Sequence, residues 1–297
     1  NITTGHQHTC GATSTSVGYC WGWNSYGQLG DGTTTDRLTP VLVSGGLLFS
    51  SIVGGAQHSC GLLSSGAAYC WGDNSSGQLG NGGLSPSSVP VLVTGGFLFA
   101  QVSAGDLHTC GRTTAGAILC WGENGQGQLG NGGTTDSPTP VSPSLAGTFR
   151  WVNAGGDITC AVTTTNAAYC WGNNQGGSLG NGTTTNSLVP VTVSGSLLFN
   201  SIFAGLRHAC GITTGSDAYC WGLNSAGQLG IGSNSNATTP TRVSGGFTWK
   251  AISASRNENT CGITSTDVLY CWGTGFFGQL GDGGITGVNS PKAVLTS

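Results

Sequence analysis

One motif recurs six times at intervals of 50 or 51 residues: Cys, nine residues, Cys-Trp-Gly, then a glycine-rich stretch built on Gly-Gln-Leu-Gly. The cysteine pairs are Cys10/Cys20, Cys60/Cys70, Cys110/Cys120, Cys160/Cys170, Cys210/Cys220 and Cys261/Cys271, and together they use all twelve cysteines. A period near 50 marks a repeat architecture, in which each unit is a supersecondary element whose apolar surface is covered only by its neighbours. The 297 residues carry no composition break, so one domain, 1-297, is expected, with repeats at approximately 1-46, 47-96, 97-146, 147-196, 197-246 and 247-297.

Within the second repeat, short apolar runs alternate with Gly/Ser/Asn clusters and no helical period is sustained, which is an all-β pattern. If Cys60 and Cys70 face each other across an antiparallel pair, Gly61 opposes Tyr69, Leu62 opposes Ala68 and Leu63 opposes Ala67. Ser64-Ser65-Gly66 is then a three-residue hairpin loop whose last position favours positive φ. Gly116, Asn166 and Asp267 tolerate that conformation at the same position, whereas Ser16 and Ser216 are exceptions. Opposed strand residues lie about 4.5 to 5.5 Å apart at Cα, within reach of a disulfide.

Period-two alternation sends Trp71, Tyr69 and Leu63 to one face and Cys60, Cys70, Leu62 and His58 to the other. Burial on both faces is what a blade between blades requires, with Trp and Tyr of one unit lying against the disulfide face of the next. Further strands are expected near Phe49 to Val53 and at Pro90 to Val93. The expected fold is all-β, a single β-propeller of six four-stranded blades with one hairpin disulfide per blade; a parallel β-helix is the weaker alternative. The chain starts in a strand near Ile2 and ends in Ala293-Val294-Leu295, and pairing of these two segments in one blade would close the ring.

Composition narrows the partners. Charged residues are 6% of the chain, against about a quarter in ordinary soluble proteins. With 8 Lys+Arg, 11 Asp+Glu and a net charge of −3 there is no basic stripe for nucleic acid and no polybasic segment for anionic lipid. No apolar run reaches the roughly 18 residues of a membrane span, so no membrane insertion is expected. Twelve cysteines in register-locked pairs fit an oxidising compartment and place the protein outside the cell, secreted or at the cell surface.

The residues Gly-x-x-His-Thr-Cys-Gly and Tyr-Cys-Trp-Gly-x-Asn-x-x-Gly-Gln-Leu-Gly resemble the regulator of chromosome condensation repeat, and the match covers essentially the whole chain. Unit two shows Gly55-Ala56-Gln57-His58, Trp71-Gly72-Asp73-Asn74 and Gly77-Gln78-Leu79-Gly80. Unit four departs with Ile158 and Ser178 at the histidine and glutamine positions, and unit six with Asn259 and Gly275 at the histidine and asparagine positions. The resemblance implies a propeller, usually of seven blades, against six repeats here. Nucleotide exchange on a nuclear GTPase fits the paired cysteines poorly, and the family's ultraviolet photoreceptor uses tryptophans that these loops lack. Secreted members, a β-lactamase inhibitory protein and receptor-kinase ectodomains, present a propeller face to a partner and are the nearest functional analogy.

Most polar and aromatic motifs have a structural reading. His8, His58, His108 and His208 precede cysteines without a familiar zinc spacing, so hydrogen bonding inside each blade is expected and no metal. The Trp-Gly tryptophans, Trp21 to Trp272, are read as core, and Gly-Gln-Leu-Gly as a turn with leucine as buried anchor, because it lacks the Lys-Ser/Thr of a phosphate loop. Asp73, Asp106, Glu123 and Asp157 come without a unique His/Ser/Cys cluster, so no catalytic residues and no cofactor are assigned.

Function is expected where the copies disagree, at the residues before each histidine and the one after each Trp-Gly. The predicted partner-binding face comprises Gln7, Trp23, Gln57, Asp73, Asp106, Leu107, Glu123, Asp157, Asn173, Arg207, Leu223, Arg256 and Glu258, with Thr274. Asn1, Asn74, Asn181 and Asn236 head N-glycosylation sequons, the last two on turns. The expected function is a secreted, non-enzymatic scaffold that binds a protein partner or mediates adhesion. The alternative is a structural subunit of an extracellular fibre or coat, self-assembling and glycosylated, with Phe276-Phe277 as a contact patch. An enzyme inhibitor or receptor ectodomain is a further alternative.

Overall fold

The computed structural model describes residues 2–255 and 257–295. Its strands form six four-stranded antiparallel sheets, each with its strands in chain order, and the one helical turn among the described residues is Gln175–Gly177. The fold is all-β, of six β-propeller blades with one disulfide in each. Contacts gather into two compact units, Asn1–Ala154 and Gly155–Ser297.

The second repeat shows how the motif builds a blade. Its strands are Phe49–Gly54, His58–Leu63, Ala68–Gly72 and Ser87–Leu92. The middle pair has the expected register, with Cys60 opposite Cys70, Gly61 opposite Tyr69 and Leu62 opposite Ala68. The hairpin closes through Leu63 N–H donating to the Ala67 carbonyl at 2.9 Å. Its last loop position has positive φ in every repeat, including Ser16 and Ser216 at 66°. At these serines the turn is braced by a preceding threonine: Val17 N–H donates to Thr13 Oγ1 at 3.1 Å and Asp217 N–H to Thr213 Oγ1 at 3.2 Å.

The six disulfides join the expected partners. Cys10 is bonded to Cys20, Cys60 to Cys70, Cys110 to Cys120, Cys160 to Cys170, Cys210 to Cys220 and Cys261 to Cys271. In each pair the two residues also face each other across the hairpin, as Cys110 faces Cys120 and Cys160 faces Cys170. The spacing departs from expectation: the Cα atoms of each disulfide are 4.0 to 4.1 Å apart, closer than an ordinary strand pair.

The glycine after each tryptophan has a conformational cause. Gly72 has φ of 105°, and a Cβ there would sit 2.5 Å from the Gln57 carbonyl oxygen. The third strand is irregular at this point, Cys70 pairing with Val91 but Gly72 with Ser87. The same step recurs at Cys120, which pairs with Val141 while Gly122 pairs with Ser137, and at Cys170, which pairs with Val191 while Gly172 pairs with Ser187. In repeat two the irregularity starts the fourth strand at Ser87, three residues earlier than the expected Pro90. The second cysteine of each motif is therefore both a disulfide partner and the last regularly paired residue before the strand steps.

Packing between repeats corrects one expectation. The disulfide face of repeat two (Cys60, Leu62, Ala68, Cys70) packs with Phe99 and Trp121 of repeat three. The same holds for Cys10 and Cys20 with Phe49 and Trp71, and for Cys210 and Cys220 with Trp249 and Trp272. Each of these tryptophans therefore lies against the disulfide of the preceding repeat, not the following one. The aromatic ring pair, such as Phe99 with Trp121 at 5.7 Å between centroids, enters as one body. Trp71, Trp121, Trp171, Trp221 and Trp272 are fully buried, and the leucine anchors from Leu29 to Leu280 equally so, but Trp21 is only half-buried.

The two ends of the chain do not share a blade. Ile2–Thr4 completes the first sheet beside His8–Ala12, and Val288–Ala293 completes the sixth, so each sheet has its four strands without borrowing one. The last strand stops at Ala293, before Val294 and Leu295.

Candidate partner-binding face

The two variable positions of each repeat are joined by a backbone hydrogen bond. Trp23 N–H donates to the Gln7 carbonyl at 2.8 Å, and Asp73 to Gln57, Glu123 to Leu107, Asn173 to Asp157, Leu223 to Arg207 and Thr274 to Glu258, each at 2.9 Å. A strand-end contact thus places one residue before the histidine beside one after Trp-Gly at the same edge of every blade. The scaffold uses only main-chain atoms for this, so the side chains can differ from repeat to repeat.

The side chains differ in what they can offer. Gln7 and Arg207 are exposed, and Trp23, Gln57, Asp106, Leu107, Glu123, Asp157, Asn173, Leu223, Glu258 and Thr274 are half-buried. Asp73 is only 5% exposed and is no contact residue. Its carboxylate accepts from Ser75 Oγ at 2.9 Å and Gln78 Nε2 at 2.7 Å, bracing the Gly-Gln-Leu-Gly turn. Glu123 accepts from Gln128 Nε2 at 3.1 Å in the same way. An acid five residues before the motif glutamine is the sequence signal for this brace. Trp23 stacks edge-on with Tyr26, and His6 Nε2 lies 3.4 Å from Asp106 Oδ1. Arg256 lies outside the described residues.

His8, His58 and His208 bond between repeats, not inside them. His8 Nε2 is 2.9 Å from Ser59 Oγ, His58 Nε2 is 2.9 Å from Thr109 Oγ1, and His208 Nε2 is 3.0 Å from Thr260 Oγ1. Each hydroxyl donates its own hydrogen onward, to the carbonyl of Gln28, Gln78 or Gln228. The hydroxyl must therefore accept from the imidazole, which puts the histidine proton on Nε2. The same carbonyls accept the indole N–H of Trp71, Trp121 and Trp272 at 2.9 to 3.0 Å. One main-chain oxygen thereby ties the entering tryptophan and the histidine relay together. Among the described residues no three His, Cys, Asp or Glu side chains gather as metal ligands.

Repeat four lacks this histidine, having Ile158, and repeat five has Ala209 where the others have serine or threonine. Both are fully buried, so donor and acceptor have been replaced together by apolar groups. In repeat six Asn259 stands at the histidine position and its carboxamide oxygen accepts from Ser255 of its own repeat. A double-mutant cycle tests the coupling. His58→Ile and Thr109→Ala should each cost about 1 to 3 kcal/mol, because each leaves a buried polar partner unmet. The pair together should recover at least about 1 kcal/mol of the summed loss in guanidinium unfolding, and additivity within about 0.5 kcal/mol would refute the relay.

The asparagine of Trp-Gly-x-Asn is a loop clip. Asn74 Nδ2 donates to the carbonyls of Gly83 and Ser85 and to Asn81 Oδ1, while its Oδ1 accepts from Leu79 N–H. Being fully buried, Asn74 is no glycosylation acceptor despite its sequon. Asn236 is exposed and Asn181 half-buried, both in loops, and Asn1 lies outside the described residues. Phe276 and Phe277 are exposed, Phe277 at 92%, and Phe276 borders a cleft of about 620 Å³ with Ala226, Asn234, Asn289 and Pro291.

The profile of the regulator of chromosome condensation (RCC1) repeat matches residues 19–62, 65–111, 115–162, 166–212 and 217–260. A second profile of the same repeat matches 49–78, 99–128, 152–178 and 199–228. No curated protein sequence matches the chain at a significant level. Among solved structures, yeast RCC1 (Prp20) bound to Kap60 is similar at 20% identity with a TM-score of 0.89, covering 100% of this chain and 75% of that one. Human WBSCR16 aligns at 21% identity and 0.88, covering 99% and 81%. The ectodomain of the Physcomitrella patens receptor kinase CR4 aligns at 23% and 0.63, covering 93% and 64%. These likenesses concern the fold. With five repeat matches spread over most of its length and the blade structure they specify, the chain belongs to the RCC1 repeat family.

Proposed function

We propose that this chain is a secreted, non-enzymatic propeller that binds a protein partner through its paired edge loops. The observation that carries the reading is the set of hydrogen-bonded loop pairs, identical in backbone and different in side chain from repeat to repeat. Six internal disulfides support an oxidising, extracellular setting. Protein binding has precedent in similar structures, one of yeast RCC1 bound to Kap60 and one of Prp20p with its binding to Gsp1p and histones. The test is cross-linking of purified protein to the surface proteins of its source cells. Combining Trp23→Ala, Arg207→Ala and Leu223→Ala should lower capture at least about tenfold, the loss of a few contact residues at about 1 kcal/mol each. Capture at the wild-type level by a folded triple variant would overturn it.

A second reading is a structural subunit of an extracellular fibre or coat, glycosylated at Asn181 or Asn236. It is favoured by large apolar side chains standing in solvent on a nearly uncharged chain, Leu38 and Phe277 among them.

A further inference from the structure

The seam between repeats five and six holds a cleft bordered by an aromatic ring. Its volume of about 620 Å³ lies inside the range of about 300 to 1,000 Å³ that small-ligand sites occupy. Both walls belong to the compact unit Gly155–Ser297. The turn and loop of repeat five supply Ser225 and Asn234, and repeat six supplies Phe276 with Asn289 and Ser290 of its fourth strand.

Phe276 is 69% exposed. The same turn position holds Ser25, Ser75, Gly125, Gln175 and Ser225 in the other repeats, and all five are exposed. Solvent therefore reaches this position in every repeat, and packing gives no reason for an aromatic ring there. Repeat six also closes its loop differently. Asn224 clips the loop of repeat five by donating to the carbonyls of Ser233 and Ser235 at 2.8 and 2.9 Å. Gly275 stands at the clip position in repeat six, where a Cβ would lie 2.5 Å from the Thr286 carbonyl oxygen. The loop thus rests directly on the turn that carries Phe276, and Gly287 and Val288 beyond it line the cleft.

The polar wall is fixed before anything binds. Asn289 Nδ2 donates to Asn234 Oδ1 at 3.0 Å, and Asn234 Nδ2 to the Ser225 carbonyl at 3.2 Å. Ser290 Oγ donates to Asn289 Oδ1 at 3.4 Å. Each carboxamide spends one of its two N–H donors on this chain and keeps the other for a ligand. The charge of Lys292 on the lining is met by Asp282 Oδ2 at 2.7 Å, so the cleft offers a ring, hydroxyls and carboxamides and no unpaired cation.

We infer that this cleft is a subsite for a neutral saccharide, one pyranose lying with its C–H face on Phe276 and its hydroxyls on Asn234 and Asn289. A pyranose has an apolar face and a rim of hydroxyls that both donate and accept, which matches a ring beside oriented carboxamides. An extended peptide suits the place less, because Pro291 removes a donor from the strand edge it would pair with. The inference goes beyond protein binding at the edge loops and shares only Thr274 with them.

Titration of the isotope-labelled chain with cellotriose, maltotriose and tri-N-acetylchitotriose, followed by amide NMR, provides the test. Concentrations up to about 10 mM suit the millimolar strength of a single subsite. At least one sugar should shift the side-chain amides of Asn234 and Asn289 saturably. Phe276→Ala and Asn289→Ala should each weaken that binding about fivefold or more, through the lost ring contact and the lost hydrogen bond. Phe277→Ala, next in sequence but off the lining, should leave it within about twofold, as a surface substitution away from the site does. Phe276 is exposed, so its variant should keep the wild-type thermal midpoint. No saturable shift from any of these sugars, or unchanged affinity in the folded Phe276→Ala chain, would overturn the inference. Binding of trigalacturonate in their place would overturn it by moving recognition to Lys292, and so would an unglycosylated Ser/Thr-rich peptide that alone shifts these amides. Capture of a protein by the edge loops is read separately, so failure of either reading leaves the other standing.

Discussion

Reduction of all six disulfides is expected to unfold the protein without added denaturant, and the bridge of the sixth repeat should be the first to go. Each bridge closes a loop of eleven residues, Cys60 through Cys70 in repeat two, which in the chain-entropy model stabilises the native state by about 2.5 to 3 kcal/mol. Six such terms amount to about 16 kcal/mol, as much as or more than the roughly 5 to 15 kcal/mol by which folded domains exceed their unfolded chains. The order follows from access. The sulfurs of repeats one to five belong to residues at 0 to 1% exposure, Cys120 and Cys170 among them at 0%, whereas Cys261 is half-buried. A thiolate reductant has to reach sulfur in line, so it meets Cys261–Cys271 before the others. Stepwise reduction with alkylation and mass analysis, followed by circular dichroism, provides the check. A fully reduced chain with an unchanged melting curve, or equal labelling of all six pairs at the first step, would contradict the account.

A second large effect is expected between pH 6.5 and 4. Burial pushes the His208 imidazole down to about 4 from its ordinary 6.5, because the interior disfavours the charged ring. The unfolded chain takes up this proton near 6.5, so between those values the unfolded state binds more protons than the native one. Stability from this group is complete above 6.5 and is lost as pH falls towards 4, on the order of 3 kcal/mol over the window. Two carboxylates act below it. Burial tends to raise Asp31, but hydrogen bonds from Thr33 and Arg37 outweigh it and leave the group lowered, and the Lys292 hydrogen bond lowers Asp282. Their stabilising effect fades only below the ordinary carboxylate value of 3.8. Replacing His208 and Thr260 together by the Ile/Ala pair found between repeats four and five removes the titration. Unfolding free energy of that variant should lose up to about 1.4 kcal/mol per pH unit of slope in the window, and an unchanged slope would assign the acid sensitivity elsewhere.

Much of the blade was legible in the sequence because one register explains several residues at once. Placing Cys60 opposite Cys70 accounted for the small loop, the left-handed loop end and the alternation of faces. The direction of stacking was not legible, since period-two alternation says which side chains share a face but not which neighbour covers it. Nor was the relay, because its partners lie 51 or 52 residues apart and in different motifs. Comparing the repeats at that offset does reveal it: His8 with Ser59, His58 with Thr109, Ile158 with Ala209. For the variable positions, the pairing of Gln57 with Asp73 by a backbone bond came only from the structure. The burial of Asp73 escaped sequence reasoning because an acidic residue in a polar loop is ordinarily solvated, and here a nearby glutamine and serine replace water.

The relay also bears on how such a chain can lengthen or shorten by gene duplication. A repeat carries the histidine that serves the seam ahead of it and the hydroxyl that serves the seam behind. Repeat five is mixed in this respect, with His208 on one side and Ala209 on the other. A tandem copy of it would set a buried imidazole N–H against a methyl group, at about 1 to 3 kcal/mol for the unmet donor. Repeats four and five have no such conflict with one another in either order, since Ile158 meets Ala209 in the one and His208 would meet Thr159 in the other. What is inherited as a working piece is thus the seam, half from each of two repeats, and the boundaries at which this chain tolerates recombination run through the middle of blades instead of between them.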